Sequence, residues 1–279
     1  MSNLSATNTA YWSHAISSWF EAGRSDPDEE AMLKYIREAL PQIEGCWTRV
    51  KDKLKARPSG GLSCARQLFL ADLGYQDEPP TEAAKITWAI GHLLHGWAYG
   101  CIVSGLPEGV RFEIEFTRDL PAWWPIEREG FAKEGHTDLV LRRDSDTAGG
   151  LPPECGLNVL VDVKSSYSKG WRDYGTKDMT AGPDGFGYNS QLAVYSDGGE
   201  LYDATFLLAI NRDTPASSKV RVRNVPNDFL AEERERLIGI FAQEGDPGRE
   251  FQDRWEGAGM FYCQRFCGKR RGCEELEVV

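Results

Sequence analysis

Hydrophobic and polar positions follow a helical spacing over the first hundred residues and an extended spacing after them. Residues 8–56 and 86–103 carry apolar side chains at helical intervals, and the second stretch is apolar enough to predict a buried helix. Residues 110–116 instead alternate between apolar and polar, which predicts a strand with one buried face. The side chains of residues 8–56 that we expect to face inward are Trp12, Trp19, Phe20, Tyr35, Ile36 and Trp47.

Turn residues and short aliphatic runs divide the chain into further elements. Ser25 precedes Pro27-Asp28-Glu29-Glu30, which predicts a helix start with acidic residues in the first turn. Pro58-Ser59-Gly60-Gly61 interrupts the helical pattern. The later predicted elements are helix 64–73, strands 135–141 and 157–161, helix 190–196, strands 204–210 and 219–225, and helix 230–243. This order predicts an α/β fold with a mixed central sheet flanked by helices.

Three charged residues stand beside two of these aliphatic strands. Asp138 lies within the first strand, and Asp162-Val163-Lys164 follows the second. Because side chains alternate along a strand, Asp162 and Lys164 point to the same side. Two carboxylates and an ammonium at neighbouring strands suit Mg²⁺- or Mn²⁺-dependent phosphodiester cleavage, in which one or two ions act on the attacking and leaving oxygens. The alternative for an isolated Asp-x-Lys is an exposed ion pair, and the surrounding pattern favours the site.

A polar pair on the helix after these strands extends the candidate site. Gln191 and Tyr195 are four residues apart, so they lie on one face of the predicted helix. An amide and a phenol can contact a phosphate, a base or a metal-bound water. The alternative is a tyrosine packed in the core with a glutamine at the surface.

Two histidines in the predicted helix 86–103 are candidate metal ligands. His92 and His95 are three residues apart, so either can face the site. Imidazole binds Mn²⁺ or iron more readily than Mg²⁺. A buried histidine with satisfied hydrogen bonds is the alternative for each.

In this order the motifs resemble the PD-(D/E)xK nuclease superfamily, specifically its RecB-type branch. The matching residues are Gly91 and His95, Gly135 and Asp138, Asp162 and Lys164, and Gln191 and Tyr195. The resemblance implies a restriction-endonuclease-like core, with a catalytic Lys164. It also implies that His95, Asp138, Asp162 and the Val163 carbonyl are metal ligands, and it favours His95 over His92.

The cysteines narrow the resemblance to one group within that branch. Of seven cysteines, three lie in Cys263-x3-Cys267-x5-Cys273, and Cys64 lies far upstream. This arrangement resembles the RecB-type nucleases with an iron–sulfur cluster, which include CRISPR-adaptation nucleases and phage relatives. The resemblance implies a 4Fe–4S cluster held by these four thiolates, and zinc is the competing metal. We expect Cys46, Cys101 and Cys155 to be ordinary buried thiols.

Composition limits the class of protein and its partners. The 279 residues suffice for a globular core, and the formal net charge of −11 argues against non-specific coating of nucleic acid. No apolar run is long enough to cross a membrane, and residues 1–23 lack the pattern of a signal peptide. We therefore expect a cytoplasmic protein of a prokaryote or a phage-infected cell.

Local positive charge and aromatic rings supply candidate DNA contacts. We expect Arg66, Lys164, Gln191 and Tyr195 to bind DNA. Further cations for a phosphate path are Arg57, Arg142, Arg143 and Lys269-Arg270-Arg271, the last with a solvated loop as alternative. Trp123, Trp124 and Trp171 are candidates for stacking on bases or for packing on the core.

These observations predict one compact unit in which residues 1–57 form an N-terminal helical elaboration and residues 58–279 the nuclease domain. The expected function is a metal-dependent DNA exonuclease acting on single strands or DNA ends, in recombination, repair or replication. The alternative is a CRISPR-adaptation accessory or a non-catalytic iron–sulfur protein that binds DNA or a partner. Expected protein partners are a recombinase, a helicase or an integrase.

Overall fold

The computed structural model describes residues 4–48, 58, 64–75, 80–114, 117–128, 131–168, 188–245, 247 and 273. The helices in these ranges are α1 Ala6–Ser25, α2 Glu29–Thr48, α3 Ala65–Asp72, α4 Glu82–Gly105, α5 Tyr188–Tyr195 and α6 Asn227–Ala242. The strands are β1 Val110–Ile114, β2 Thr117–Asp119, β3 Glu134–His136, β4 Leu139–Arg143, β5 Asn158–Ser166, β6 Ala204–Asn211 and β7 Arg221–Val225. None of the described helices is both long and apolar enough to cross a membrane.

A mixed five-stranded sheet forms the centre of the fold. Its strand order is β1-β4-β5-β6-β7, and β2 pairs with β3 in a separate two-stranded ribbon. Strands β5 and β6 are parallel, whereas the other neighbours are antiparallel. A parallel pair needs a crossover, and the connection from β5 to β6 contains α5. The predicted α/β class with a mixed sheet between helices is confirmed.

The central strands are buried on both sides. Leu139, Val161 and Val163 belong to the hydrophobic cluster that includes residues of α1 and α4. Their neighbours Val140 and Leu160 belong to a second cluster, with residues of α5 and α6. Alternation along a strand explains this division, and burial on both faces explains why these strands read as continuous aliphatic runs.

Close packing fixes α4 against the first two helices. A Cβ atom on Gly96 would lie 2.6 Å from the carbonyl oxygen of Tyr35, and one on Gly100 would lie 2.9 Å from the Cα of Met32. Both residues of α4 therefore meet the α2 backbone where only hydrogen fits. This approach sets the position of His95, which directly precedes Gly96.

The N-terminal helices follow the predicted pattern with one correction. Trp12, Trp19, Phe20 and Tyr35 are buried as expected, but Trp47 is 48% exposed and the expectation that it faces inward was wrong. Helix α2 begins at Glu29 with acidic residues in its first turn, as predicted, and Asp28 caps it. The Asp28 carboxylate accepts hydrogen bonds from the backbone N–H groups of Glu30 and Ala31 at 2.9 and 3.1 Å, whereas Ser25 ends α1.

Arg143 does not belong to the predicted phosphate path, because its side chain is buried and engaged inside the protein. Its guanidinium donates hydrogen bonds to carbonyl oxygens of the loop between β4 and β5. The accepting residues are Asp146, Ala148, Leu151, Pro152 and Gly156. Its neighbour Arg142 is exposed and pairs with Glu113 at 3.3 Å.

We predict that Arg143→Lys lowers the free energy of unfolding by about 2–3 kcal/mol, because an ammonium cannot satisfy carbonyls arranged around a planar guanidinium. Urea denaturation measures the change. Arg142→Lys is the matched control and should stay within roughly 0.5 kcal/mol of the unmodified protein, as surface substitutions usually do. Equal stability of the two variants would contradict this role for Arg143.

Candidate active site

Antiparallel pairing of β4 and β5 brings the two candidate aspartates together. Leu139 pairs with Val161, so the residue before β4, Asp138, continues the register opposite Asp162. The Oδ2 atom of Asp138 accepts a hydrogen bond from the backbone N–H of Val163 at 2.8 Å. This bond ties the Asp138 carboxylate to β5 beside Asp162.

Asp162, Lys164 and Gln191 form a closed polar triangle between β5 and α5. The Lys164 Nζ atom is 2.7 Å from Asp162 Oδ2 and donates to Gln191 Oε1 at 3.2 Å. The Gln191 Nε2 atom donates to Asp162 Oδ1 at 3.1 Å. The ring of Tyr188 also lies near the ammonium, with 4.9 Å between Nζ and the ring centroid. Asp162 and Lys164 therefore point to the same side of β5, as predicted, and both contact Gln191 on the following helix.

Burial dominates the electrostatics of this triangle. Asp162 is 2% exposed. Burial raises the pKa of its carboxyl to about 7, Lys164 opposes that shift, and the charge of Asp138 adds to it. Burial also disfavours the charge of Lys164, but the carboxylates of Asp162 and Asp138 outweigh it and raise the pKa of the ammonium. Lys164 is therefore a cation held by the acids around it.

His95 reaches the site from the helix α4. Its Nδ1 atom lies 3.8 Å from Asp138 Oδ1, and its ring meets that of Tyr99 edge-on with 6.1 Å between centroids. The structure thus brings His95, the histidine that the resemblance favours, to the carboxylate of Asp138.

Tyr195 supports the site from within the core. It is 3% exposed, and burial raises the pKa of its phenol, whose oxygen is hydrogen-bonded to the backbone of His136. A Cβ atom on Gly135 would lie 2.6 Å from Tyr195 Cε1. The glycine of one motif therefore makes room for the tyrosine of the other. Tyr195 therefore packs in the core, which was the alternative interpretation of this residue.

Of the four residues expected to bind DNA, three are almost fully buried. Arg66, Gln191 and Tyr195 are between 3% and 5% exposed, whereas the side chain of Lys164 is 14% exposed. Arg66 and Tyr195 therefore offer very little side-chain surface for the direct DNA contact that we expected of them. Gln191 acts inside the site, where it bridges Asp162 and Lys164.

Sequence reasoning missed the contacts that hold α5 in place. The Ser190 hydroxyl donates to the carboxylate of Glu233 on α6, and that carboxylate also accepts from Arg236 at 2.6 and 2.9 Å. The spacing of Glu233 and Arg236, three residues apart on a helix, was the available signal. Because Ser190 precedes Gln191, this connection anchors the helix that carries the amide of the triangle.

The donor set fits a hard divalent cation by its chemistry. His95, Asp138, Asp162 and the Val163 carbonyl would hold such an ion. Asp162 Oδ2, although buried, accepts no hydrogen bond from a described residue beyond its ion pair with Lys164. Within the described part of the chain, no three His, Cys, Asp or Glu side chains are grouped as a metal site. A cation would therefore have to draw Asp162 partly away from Lys164.

The cysteines are described in part. Cys64 is buried at the start of α3 and Cys273 is partly buried, and neither forms a disulfide. Cys263 and Cys267 lie outside the described residues, as do Arg57, Trp171 and Lys269-Arg270-Arg271. Cys46, Cys101 and Cys155 are buried thiols, as expected.

Two of the tryptophans considered for base stacking belong to the fold. Trp124 is 1% exposed, and its indole N–H donates to the carbonyl oxygen of Ala132 at 2.8 Å. Trp123 is partly buried and donates to Asp197 Oδ1 at 2.6 Å. These contacts favour the core-packing alternative for both.

Comparison with known proteins gives no family assignment. No protein-family model matches the chain, and no curated protein matches it. A solved structure titled "Crystal structure of SSO0001" aligns over 86% of this chain and 95% of its own, with 13% identity and a TM-score of 0.41. A score that low supports no argument about fold or function.

We predict that Mn²⁺ or Mg²⁺ raises the melting temperature of the protein by about 5–10 °C at a hundredfold excess over the dissociation constant. The reason is that a cation bound only by the folded site favours folding. Differential scanning fluorimetry measures the shift for each variant against its own metal-free baseline. Asp138→Asn and Asp162→Asn should lose the shift, whereas Asp146→Asn, in the exposed β4–β5 loop, should keep it. An unchanged shift in the two site variants would place the ion elsewhere.

Proposed function

We propose that this protein is a metal-dependent DNA exonuclease that hydrolyses phosphodiester bonds in single-stranded DNA or at DNA ends. The observation that carries the proposal is the triangle of Asp162, Lys164 and Gln191, with Asp138 beside it on the neighbouring strand. Two acids that can hold a metal ion, beside a lysine that can contact a phosphate, suit phosphodiester cleavage.

We propose further that the sheet is a PD-(D/E)xK core of the RecB type. Its support is the order of elements around the site. Helix α4 with His95 precedes β1, β4 and β5, and α5 then crosses to β6, which runs parallel to β5. The acids lie on β5 and just before β4, the two central strands that pair in antiparallel register.

Each residue of the site has a distinct task in this proposal. His95, Asp138, Asp162 and the Val163 carbonyl would hold Mg²⁺ or Mn²⁺, and the ion would activate a water and neutralise charge on the phosphate. The backbone N–H of Val163 fixes the Asp138 carboxylate through the 2.8 Å hydrogen bond. Asp162 and Gln191 fix the direction of the Lys164 ammonium.

Lys164 acts on the phosphate as a directed positive charge. Its ammonium is held by the surrounding acids, so it donates hydrogen bonds and does not accept protons. A donor aimed at a non-bridging phosphate oxygen stabilises the negative charge that grows in the transition state. Gln191 limits the rotation of that donor and thereby lowers the cost of orienting it.

The depth of the site favours a single strand as substrate. Asp162 is 2% exposed and the side chains of Lys164, Asp138 and His95 are between 14% and 19% exposed. A flexible single strand can bring a phosphate to recessed groups more easily than a stiff duplex. Frayed ends of duplex DNA meet the same requirement.

The first test is cleavage of end-labelled single- and double-stranded DNA with Mn²⁺ or Mg²⁺. We predict short products from the unmodified protein and at least a hundredfold lower rate for Lys164→Ala, since lost transition-state donors cost that much in other enzymes. Asp138→Ala and Asp162→Ala should lose activity as well. Lys34→Ala is the matched control, because Lys34 is exposed on α2 and belongs to no part of the site.

Two results would count against the nuclease. Undiminished cleavage by all three site variants would show that these residues do not perform the reaction. Absence of cleavage by unmodified, cluster-loaded protein that still binds DNA would favour the alternative role as a non-catalytic DNA-binding or CRISPR-adaptation accessory protein.

We also propose that Cys64, Cys263, Cys267 and Cys273 hold a structural 4Fe–4S cluster. Its support is the four-cysteine pattern, since four thiolates are the usual ligand set of such a cluster. Anaerobically prepared protein should be brown and contain about four iron atoms per chain, the content of one such cluster. Cys64→Ser should lose the iron, whereas Cys46→Ser, which changes another buried thiol, should keep it. Stoichiometric zinc without iron would overturn the assignment.

A further inference from the structure

An exposed aromatic ring with a cation stacked on it lies at the ends of β5 and β6. Tyr167 directly follows β5 and is 58% exposed. Arg212 directly follows β6, and the central carbon of its guanidinium is 3.5 Å from the centroid of the Tyr167 ring. That distance is well inside the ~6 Å range of cation–π contacts. The Arg212 Nε–H is buried and reaches no hydrogen-bond acceptor among the described residues.

Hydrogen bonds on either side hold this pair in place. The backbone N–H of Arg212 donates to the Ser166 carbonyl at 2.7 Å, which extends the β5–β6 ladder to the pair. One residue further, both the N–H and the hydroxyl of Ser168 donate to Asp213 Oδ2, at 2.8 and 2.7 Å. Tyr167 and Arg212 therefore lie between two cross-strand ties, and little conformational freedom is left to lose on binding.

The pair follows directly on the strand that carries the candidate catalytic lysine. Tyr167 is three residues beyond Lys164 on the same chain, roughly 10 Å at the rise of an extended strand, and alternation directs the two side chains to opposite sides of that strand. A DNA strand that contacts both residues therefore passes around the carboxyl end of β5. Nucleotides of one stacked DNA strand rise ~3.4 Å each along the helix axis, so the two features lie a few nucleotides apart. Both features lie toward the carboxyl ends of a parallel pair, the edge where α/β sheets commonly bind ligands.

The charges around the ring decide which ligand fits it. The chain carries a net charge of −11, so a cation at this edge is not part of a generally basic surface. The carboxylate of Asp213 stands next to Arg212 and disfavours a free anion such as phosphate. A nucleotide suits both neighbours better than a free anion does, because stacking of its uncharged base on the ring holds its phosphate near Arg212 in spite of Asp213.

We infer that Tyr167 and Arg212 form a stacking subsite for a nucleobase of single-stranded DNA, a few nucleotides from the phosphate at Lys164. This inference rests on the proposed nuclease function and specifies how that site holds its substrate. Duplex DNA does not fit the subsite, since its bases are stacked within the helix and offer no free face.

Equilibrium binding to a fluorescein-labelled oligothymidylate tests the subsite, with anisotropy measured in EDTA so that no cleavage occurs. Tyr167→Ala should weaken binding about tenfold, the loss expected for one base stacked on an aromatic ring. Tyr167→Phe keeps the ring and should bind within about twofold of the unmodified protein. Tyr11→Ala, which removes another exposed tyrosine, on α1, is the matched control and should bind normally. Arg212→Ala should reduce the salt dependence, with a slope smaller by about 0.7 for one lost phosphate contact.

Cleavage assays with the same variants separate this inference from the nuclease proposal. Tyr167→Ala should raise KM for single-stranded DNA about tenfold and leave kcat and the metal-induced melting shift intact, because a base stack holds the strand in ground and transition states alike. If Tyr167→Ala binds and cleaves like the unmodified protein, the subsite is wrong and the nuclease stands. If the unmodified protein binds through Tyr167 but never cleaves, the nuclease is wrong and the subsite stands. Absence of oligonucleotide binding by the unmodified protein overturns the subsite, and absence of cleavage as well overturns both.

Discussion

The buried ion pair between Asp162 and Lys164 is the interaction around which the rest of the structure is arranged. Removing two charges from water costs several kcal/mol each, and their attraction returns that cost only in good geometry with further hydrogen bonds. Here Oδ1 of the carboxylate and Nζ of the ammonium both bind the Gln191 amide. A hydrophobic pair would stabilise the same place in the sheet at least as well. A role in chemistry therefore explains the pair better than a role in stability.

The surrounding elements provide the geometry that this pair needs. Antiparallel register between β4 and β5 sets Asp138 beside Asp162, and the contact of α4 with α2 at Gly96 sets the position of His95. The helix α5 is fixed twice, by Tyr195 packed against Gly135 and by Ser190 bonded to Glu233 on α6. Each of these contacts joins a different part of the chain to the same point. Precise placement of a few groups, which catalysis and metal binding require, follows from that convergence.

The strands and the helix of the site could be predicted because each has its own spacing of apolar residues, which is visible within a short stretch of sequence. Alternation placed Asp162 and Lys164 on one side of β5, and the apolar runs marked β4 and β5 as central strands. Burial could not be derived in the same way. Arg143 and Arg142 are neighbours in a strand, and only the fold of the β4–β5 loop determines that the first is enclosed by carbonyl oxygens. The burial of Tyr195 could not be derived either, because the space for its ring is left by Gly135, which lies on a strand distant in sequence.

Fixed positive charges lie both at the buried site and at the exposed ends of β5 and β6. In an acidic protein most of the surface repels a polyanion, so a strand of DNA is drawn only to places where cations are fixed. Lys164 on β5 and Arg212 after β6 are two such cations, one held by acids and the other stacked on an exposed ring. Neither can move far, because the first is enclosed by the triangle and the second by the ladder that continues through Ser166. In the proposed nuclease, two cations fixed in this way would orient a DNA strand without binding it tightly, so that each product could leave.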